Sequence, residues 1–421
     1  MIEGLQDRFP ADAIEIRLQD PDEALRLIGE RRPDVIALFA QRRAVLEENF
    51  GAAIAQAWDR AERALALSLV RLAVRHGRFG NDYHDYHNEM HALEILDRRI
   101  GRVMRESGPH TLAGMDWIAL NLFASCHDLR QREVVDTGHP IGSNEAASIA
   151  ETQRILDRCG FDPAHDRALY LALEVMIAGS TFDARPQPLD RRAYNTAEVI
   201  HAGGPLAPHL AREMERSNPG WRADPQVERA LELALLASDL DTANVGESFV
   251  ELCDSSARLA SEREMRAQRP LDSVASGAPM LGFVTGGQER YFFELHRFCS
   301  PLGERVYAAG KAANADKVRE MSLRLRAEFG NRASDSFSGA DVLRAQQRVA
   351  WDLQYLRSTR ARPPECRSDQ AEGGSDMLHP KADPTCFPKA YPTRPITPAT
   401  PRNTPPPPPS ATTPRAADPA G

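Results

Sequence analysis

Apolar residues recur at three- and four-residue spacing along most of this chain, a period that suits helices and leaves little room for a sheet. Residues 22 to 79 show it in Leu25 and Ile28, in Val35, Leu38 and Phe39, and in Leu65, Leu67, Val70 and Leu72, with Pro21 and Asp22 placed as a helix start. Two or three helices are expected there, packing onto the larger helical domain. Further helices are predicted at about 86 to 105, 115 to 128, 144 to 159, 165 to 180, 224 to 245, 288 to 299 and 311 to 329, divided by punctuation such as His201 to Pro205 and Ser217 to Gly220. Strand-like alternation is scarce, so the predicted fold class is all-α. The expected organisation is an N-terminal helical extension (1–79), a helical bundle domain (80–332), a C-terminal helix (333–360) and a tail (361–421). That tail holds roughly half of the 31 prolines, including Pro405 to Pro409. With few aliphatic groups to bury, it cannot offset an ordering entropy of roughly 1 to 2 kcal/mol per residue. A disordered, partly polyproline tail is expected, of the kind a protein partner recognises.

The 421 residues supply ample core material for one large helical domain. A net charge of -8 and a pI near 5.9 lack the dense basic surface that displaces counterions, so no nucleic-acid partner is expected. Cys126, Cys159, Cys253, Cys299, Cys366 and Cys386 are scattered with no C-x-x-C pair and read as reduced thiols. No apolar run approaches the ~20 residues that span a bilayer, and the start, Met1 to Gly4, lacks a charged-then-apolar export signal. No membrane partner and a cytoplasmic address are the expectation.

Three polar clusters stand at the ends of apolar stretches. His87 and His91 are four apart, which in a helix puts both rings on one face. His127 and Asp128 end the apolar run from Trp117 to Ala124, where a buried carboxylate needs a cationic partner or a metal. Asp239 and Asp241 close the apolar run from Leu231 to Ala237, and negative charge at a helix C-terminus opposes the dipole unless something compensates it. Either acid of that pair can serve as a ligand. Imidazole and carboxylate together hold hydrolytic metal ions while leaving coordination positions open.

The order histidine, then His127-Asp128, then aspartate resembles the HD-domain metal-dependent phosphohydrolase superfamily. Tyr86-His87-Asn88 with His91-Ala92 looks like the signature of cyclic nucleotide phosphodiesterases, and Asn144 to Ser148 looks like their glutamate-bearing helix start. Asp239-Leu240-Asp241 running on to Val245-Gly246 is similar to predicted bacterial HD phosphohydrolases. The matching motifs spread over residues 86 to 299. The resemblance implies an HD/phosphodiesterase-like helical bundle in which His91, His127, Asp128 and Asp239 bind a first divalent ion and Asp128 bridges to a second. It further implies that Glu145 positions water at the second ion, with help from Ser180 or Thr181, and that His87 protonates the leaving oxygen as general acid. One or two ions are implied, and the ligand types do not distinguish Mn, Mg, Zn, Fe or Co.

Gln288 to Phe292 resembles the phosphodiesterase segment in which a glutamine grips the purine edge and an aromatic, here Tyr291, stacks on the ring. The same residues also read as a helix with an ordinary aromatic core stripe of Tyr291, Phe292, Leu295 and Phe298. The chain departs from the family after the dipeptide: Gln131 stands where the phosphodiesterases have a histidine, which weakens a second ion. His139, in the polar loop from Arg132 to Ser143, is a substitute ligand to weigh. Three functions are compatible with these residues. The first is a phosphohydrolase acting on a nucleotide phosphodiester, a cyclic nucleotide favoured; the second acts on another small phosphorylated metabolite; the third is a non-catalytic module that binds a nucleotide or a partner.

Overall fold

Polar caps and prolines start the helices of this chain. Asp12 accepts from the Glu15 backbone and Asp20 from those of Asp22 and Glu23, and they open α2 (Ala13–Arg17) and α3 (Pro21–Arg31) behind the short α1 (Leu5–Arg8). The computed structural model describes residues 4–134, 141–183, 204–217 and 219–356, all within one compact unit, Met1–Pro363. The proline-rich tail and His139 lie outside the described residues.

Helices α4 (Pro33–Phe50) and α5 (Ala52–Arg75) complete the N-terminal part. The chain then forms α6 (Glu89–Leu93), a π-helical segment (Glu94–Arg99) and α7 (Ile100–Ser107), and after them α8 (Gly114–Cys126), α9 (Ser143–Arg158) and α10 (Arg167–Ser180). A minimal antiparallel pair, β1 (Phe182–Asp183) with β2 (Gly204–Pro205), precedes α11 (Leu210–Ser217) and α12 (Pro225–Asp241). Next come α13 (Phe249–Arg266), α14 (Gly277–Gly282), α15 (Gln288–Arg290) between two π-helical segments, α16 (Pro301–Phe329) and α17 (Gly339–Trp351). The described residues are thus predominantly helical, as the periodicity requires.

Two apolar clusters hold these helices. The larger joins Phe39, Trp58 and Leu65 from the N-terminal helices to Trp117, Phe123, Leu173 and Leu236, so the core of residues 5 to 75 is continuous with that of α8, α10 and α12. The smaller gathers Phe249, Met280, Phe292, Leu325 and Val349 from α13 to α17. A buried ionic network ties α2 to the first cluster: Arg71 lies 3.4 Å from Glu15 and 3.2 Å from Glu151, and Arg75 reaches Glu151 and Asp12 at 2.9 Å each.

Some boundaries differ from expectation for local reasons. Helix α6 begins at Glu89, not 86, because the Asn88 side chain accepts from the Met90 backbone at 2.8 Å and terminates the helix there. Helix α16 begins at Pro301, ahead of the expected 311, with Ser300 as its cap. Helix α13 has no counterpart among the predicted helices: its polar residues Ser255, Ser256, Ser261, Glu262 and Glu264 are buried, so its apolar stripe is faint in sequence.

Candidate metal centre

Three helix ends deliver the ligands. Helix α8 is apolar around its circumference and therefore buried on all sides, which carries His127 and Asp128, just past its end, into the interior. The His127 Nδ1 lies 3.2 Å from the Phe123 carbonyl, so the proton belongs on Nδ1 and the Nε2 lone pair faces the site. His91 comes from α6, with the Tyr86 ring 4.4 Å away centroid to centroid. Its Nδ1 is buried without a partner, and its Nε2 faces the acids. Helix α12 brings Asp241 in its last turn, where the buried guanidinium of Arg99 donates to the Leu240 and Asp241 carbonyls at 2.8 and 2.6 Å. That cation supplies the compensation which an acid at a helix C-terminus demands.

The four side chains converge. His91 Nε2 is 3.0 Å from Asp241 Oδ1 and 3.8 Å from Asp128 Oδ2, and His127 Nε2 is 3.1 Å from Asp128 Oδ2 and 3.5 Å from Asp241 Oδ1. Ligand bonds of about 2.0 to 2.2 Å set neighbouring donor atoms roughly 3.0 to 3.6 Å apart around a single ion, so these spacings fit one cation. His127 Nε2 and Asp128 Oδ2 are both buried with no hydrogen-bond partner despite their proximity, because neither is aimed at the other. Among the described residues no lysine or arginine pairs with either carboxylate, leaving two negative charges matched only by imidazoles. His91, His127 and Asp128, with Asp241 beside them, are therefore placed so that they could hold a divalent ion. Burial opposes charge on His127, yet Asp128 and then Asp241 outweigh it and lift its pKa well above the imidazole value. Burial likewise works against ionised Asp241, but His127 and then His91 beside it hold it well below the carboxylate range.

Asp239 does not join this group. Two residues before Asp241 on the same helix, it faces away and accepts from the Cys299 amide at 2.6 Å and from the Ser300 amide and hydroxyl at 2.8 and 2.6 Å. It thereby anchors the start of α16, and burial pushes its pKa up to about 6 despite those bonds. Asp241, not the expected Asp239, stands beside the two imidazoles.

His87 precedes α6 instead of sharing a helical face with His91, and the two rings lie 6.4 Å apart centroid to centroid. Its position is set by Glu262 of α13, a residue sequence reasoning missed. Glu262 Oε1 lies 3.0 Å from His87 Nδ1 while Oε2 accepts from the His87 backbone at 2.9 Å. Burial alone would depress the His87 pKa, but the charges of Glu262 and then Asp128 prevail and raise it.

Gln131 is buried and donates from Nε2 to Asp128 Oδ1 at 2.7 Å. That bond occupies the oxygen that bridging to a second ion would use. Glu145 is buried with Oε2 unpartnered, and burial, with the charge of Asp128 adding to it, pushes its pKa up to about 7. The Thr181 hydroxyl accepts from the Gly142 amide at 3.4 Å, holding the turn that starts α9, and the Ser180 hydroxyl bonds back to Ile177. In the second cluster the Ser256 hydroxyl donates to Gln288 Oε1 at 2.7 Å. Tyr291 is partly buried between Phe182 and His296, at centroid distances of 5.6 and 5.7 Å. Burial is the main cause that raises its phenol pKa.

No helix among the described residues is long and apolar enough to cross a membrane. No protein-family model matches the chain, and no curated protein matches it.

Proposed function

We propose that this chain is a metal-dependent phosphohydrolase of the HD type, holding one divalent ion between His91, His127, Asp128 and Asp241. The convergence of two imidazoles and two carboxylates from three helix ends, with buried nitrogen and oxygen atoms left unpartnered, carries this reading. An ion held there would supply Lewis acidity toward phosphoryl oxygen and make hydroxide accessible at neutral pH. His87, its ring oriented and its pKa raised by Glu262, donates a proton to the leaving oxygen. Gln131 fixes the Asp128 carboxylate through Oδ1 and leaves Oδ2, 3.1 Å from His127 Nε2, as the oxygen that would hold an ion. The engaged Oδ1 favours a single ion over a bridged pair, and places the burden of leaving-group stabilisation on His87.

The favoured substrate is a nucleotide phosphodiester, a cyclic nucleotide foremost. Support comes from the Gln288 amide, whose Oε1 is held by Ser256 so that Nε2 is left to donate to a base edge, and from the partly buried Tyr291 ring three residues on. Another small phosphorylated metabolite is the second reading, favoured by the single-ion geometry around Gln131. Protein stripped with a chelator is expected to lose hydrolysis of cyclic nucleotides and regain it with Mn²⁺. Brisk monoester turnover with no cyclic nucleotide turnover would replace the first substrate by the second. No turnover of either class with any metal would end the enzymatic reading in favour of a binding module.

A further inference from the structure

A second cluster of ligand atoms lies in the turn that leads to His87. His76 closes α5, and the chain returns so that the His84 amide donates to the His76 carbonyl at 2.8 Å. The two imidazole rings come to 4.1 Å centroid to centroid. Asp82 lies beside both, its Oδ2 3.7 Å from His76 Nδ1 and 3.4 Å from His84 Nε2. These separations again match donor atoms sharing one ion.

The rings themselves point to a ligand. His76 is 3% exposed and His84 0%, yet both His76 nitrogens and His84 Nε2 are buried without a hydrogen-bond partner. Three imidazole nitrogens buried without a protein partner in so small a volume are costly unless something binds them. The other nitrogen of His84 is engaged: Nδ1 lies 2.9 Å from Glu262 Oε1, a carboxylate-histidine pairing that fixes the ring and presents the Nε2 lone pair. Asp82 is the open side, its side chain 42% exposed, and Arg132 pairs with its Oδ1 at 2.8 Å while Oδ2 faces the rings. An ion can therefore enter from solvent. Calcium and magnesium prefer all-oxygen shells, whereas two imidazoles with one carboxylate suit a borderline transition ion.

We infer that His76, Asp82 and His84 form a second metal site, separate from the one that carries the proposed chemistry and selective for transition ions of the Zn²⁺ class. It clips the end of α5 to the turn preceding α6, so it stiffens the segment on which His87 sits. The inference does not depend on the phosphohydrolase reading, because its test counts ions and needs no turnover.

Co²⁺ serves as the probe, with bound metal measured by elemental analysis after equilibrium dialysis and by its visible absorption. The full-length His91→Ala/His127→Ala variant, in which the first centre is disabled, is expected to retain one equivalent of Co²⁺. Adding His76→Ala should abolish that equivalent. In the wild-type background Asp82→Asn should weaken one equivalent by at least tenfold while the far-ultraviolet circular dichroism stays unchanged. Asp82 lies at the surface, so this substitution carries the test should the other variants fail to fold. No Co²⁺ on the folded double variant, or identical Co²⁺ affinity in wild type and Asp82→Asn, would overturn the inference.

Discussion

Asparagine placed at Asp241 and, separately, at Asp239 should distinguish an acid that holds an ion from one that holds a helix. The Asp239 carboxylate accepts three hydrogen bonds, two from backbone amides and one from the Ser300 hydroxyl. Asparagine keeps an oxygen for one amide but turns its own N–H groups toward another donor. Losing one or two bonds to a buried charged group, at about 1.5 to 3 kcal/mol each, lowers stability by roughly 2 to 4 kcal/mol. For a domain of this size that is a fall in Tm of roughly 3 to 5 °C. Asp241→Asn removes the charge that His127 and His91 stabilise, so it too lowers stability without metal, and the apo melt alone does not separate the two variants. Metal separates them. At Mn²⁺ one hundredfold above its Kd, the wild type gains about 2.7 kcal/mol, and a hundredfold weaker affinity cuts that gain to about 0.4 kcal/mol. Thermal melts with chelator and with Mn²⁺ read both effects. Asp239→Asn should melt early yet keep the Mn²⁺-induced rise in Tm, and Asp241→Asn should lose that rise. The opposite pairing would refute the assignment of Asp241 as ligand.

Three other perturbations probe the site and its scaffold. His87→Ala should reduce kcat by about 10² to 10⁴ while bound Mn²⁺, measured by elemental analysis, stays unchanged. Because the His87 pKa is raised, activity that needs its proton is fully present at low pH and falls as pH rises through the raised value; Glu262→Gln removes the main cause of the rise and should move that alkaline limb of the kcat/KM profile to lower pH. An unmoved limb would deny Glu262 its role. Arg71→Ala removes one guanidinium from a network in which Arg154 still pairs with Glu15 and Arg75 with Glu151, and should cost about 1.5 to 3 kcal/mol in urea unfolding, a loss under 1 kcal/mol showing that Arg71 is dispensable. Tyr291→Ala should raise KM for a cyclic nucleotide several-fold and leave hydrolysis of a small base-free ester unchanged, whereas equal effects on both would assign the ring to packing.

Much of the fold is legible in the sequence because apolar periodicity is strong where helices are buried, as in α5, α8, α10 and α12. Helix α13 is hidden because Ser255, Ser256 and Ser261 fill its buried face and Glu262 reads as a solvated acid. Its burial depends on His84 and His87 folding back onto it from residues far away in sequence, which no local pattern reveals. The choice between Asp239 and Asp241 is open at the level of sequence for a geometric reason: positions two apart on a helix point in nearly opposite directions, and only tertiary packing says which faces inward. The sequence marks at Ser300 and Pro301 would have found the start of α16, and with it the partner that occupies Asp239. Gln131 stands out in the sequence as a departure, but its bond to Asp128 needs coordinates.

Anomalous diffraction at the manganese edge, from crystals grown with Mn²⁺, tests the shared ion most directly. A peak within bonding distance of His91 Nε2, His127 Nε2, Asp128 Oδ2 and Asp241 Oδ1, with Asp239 still on the Cys299 and Ser300 amides, is the predicted map. A map without a peak among those four atoms, at full Mn²⁺ occupancy in solution, would contradict the account.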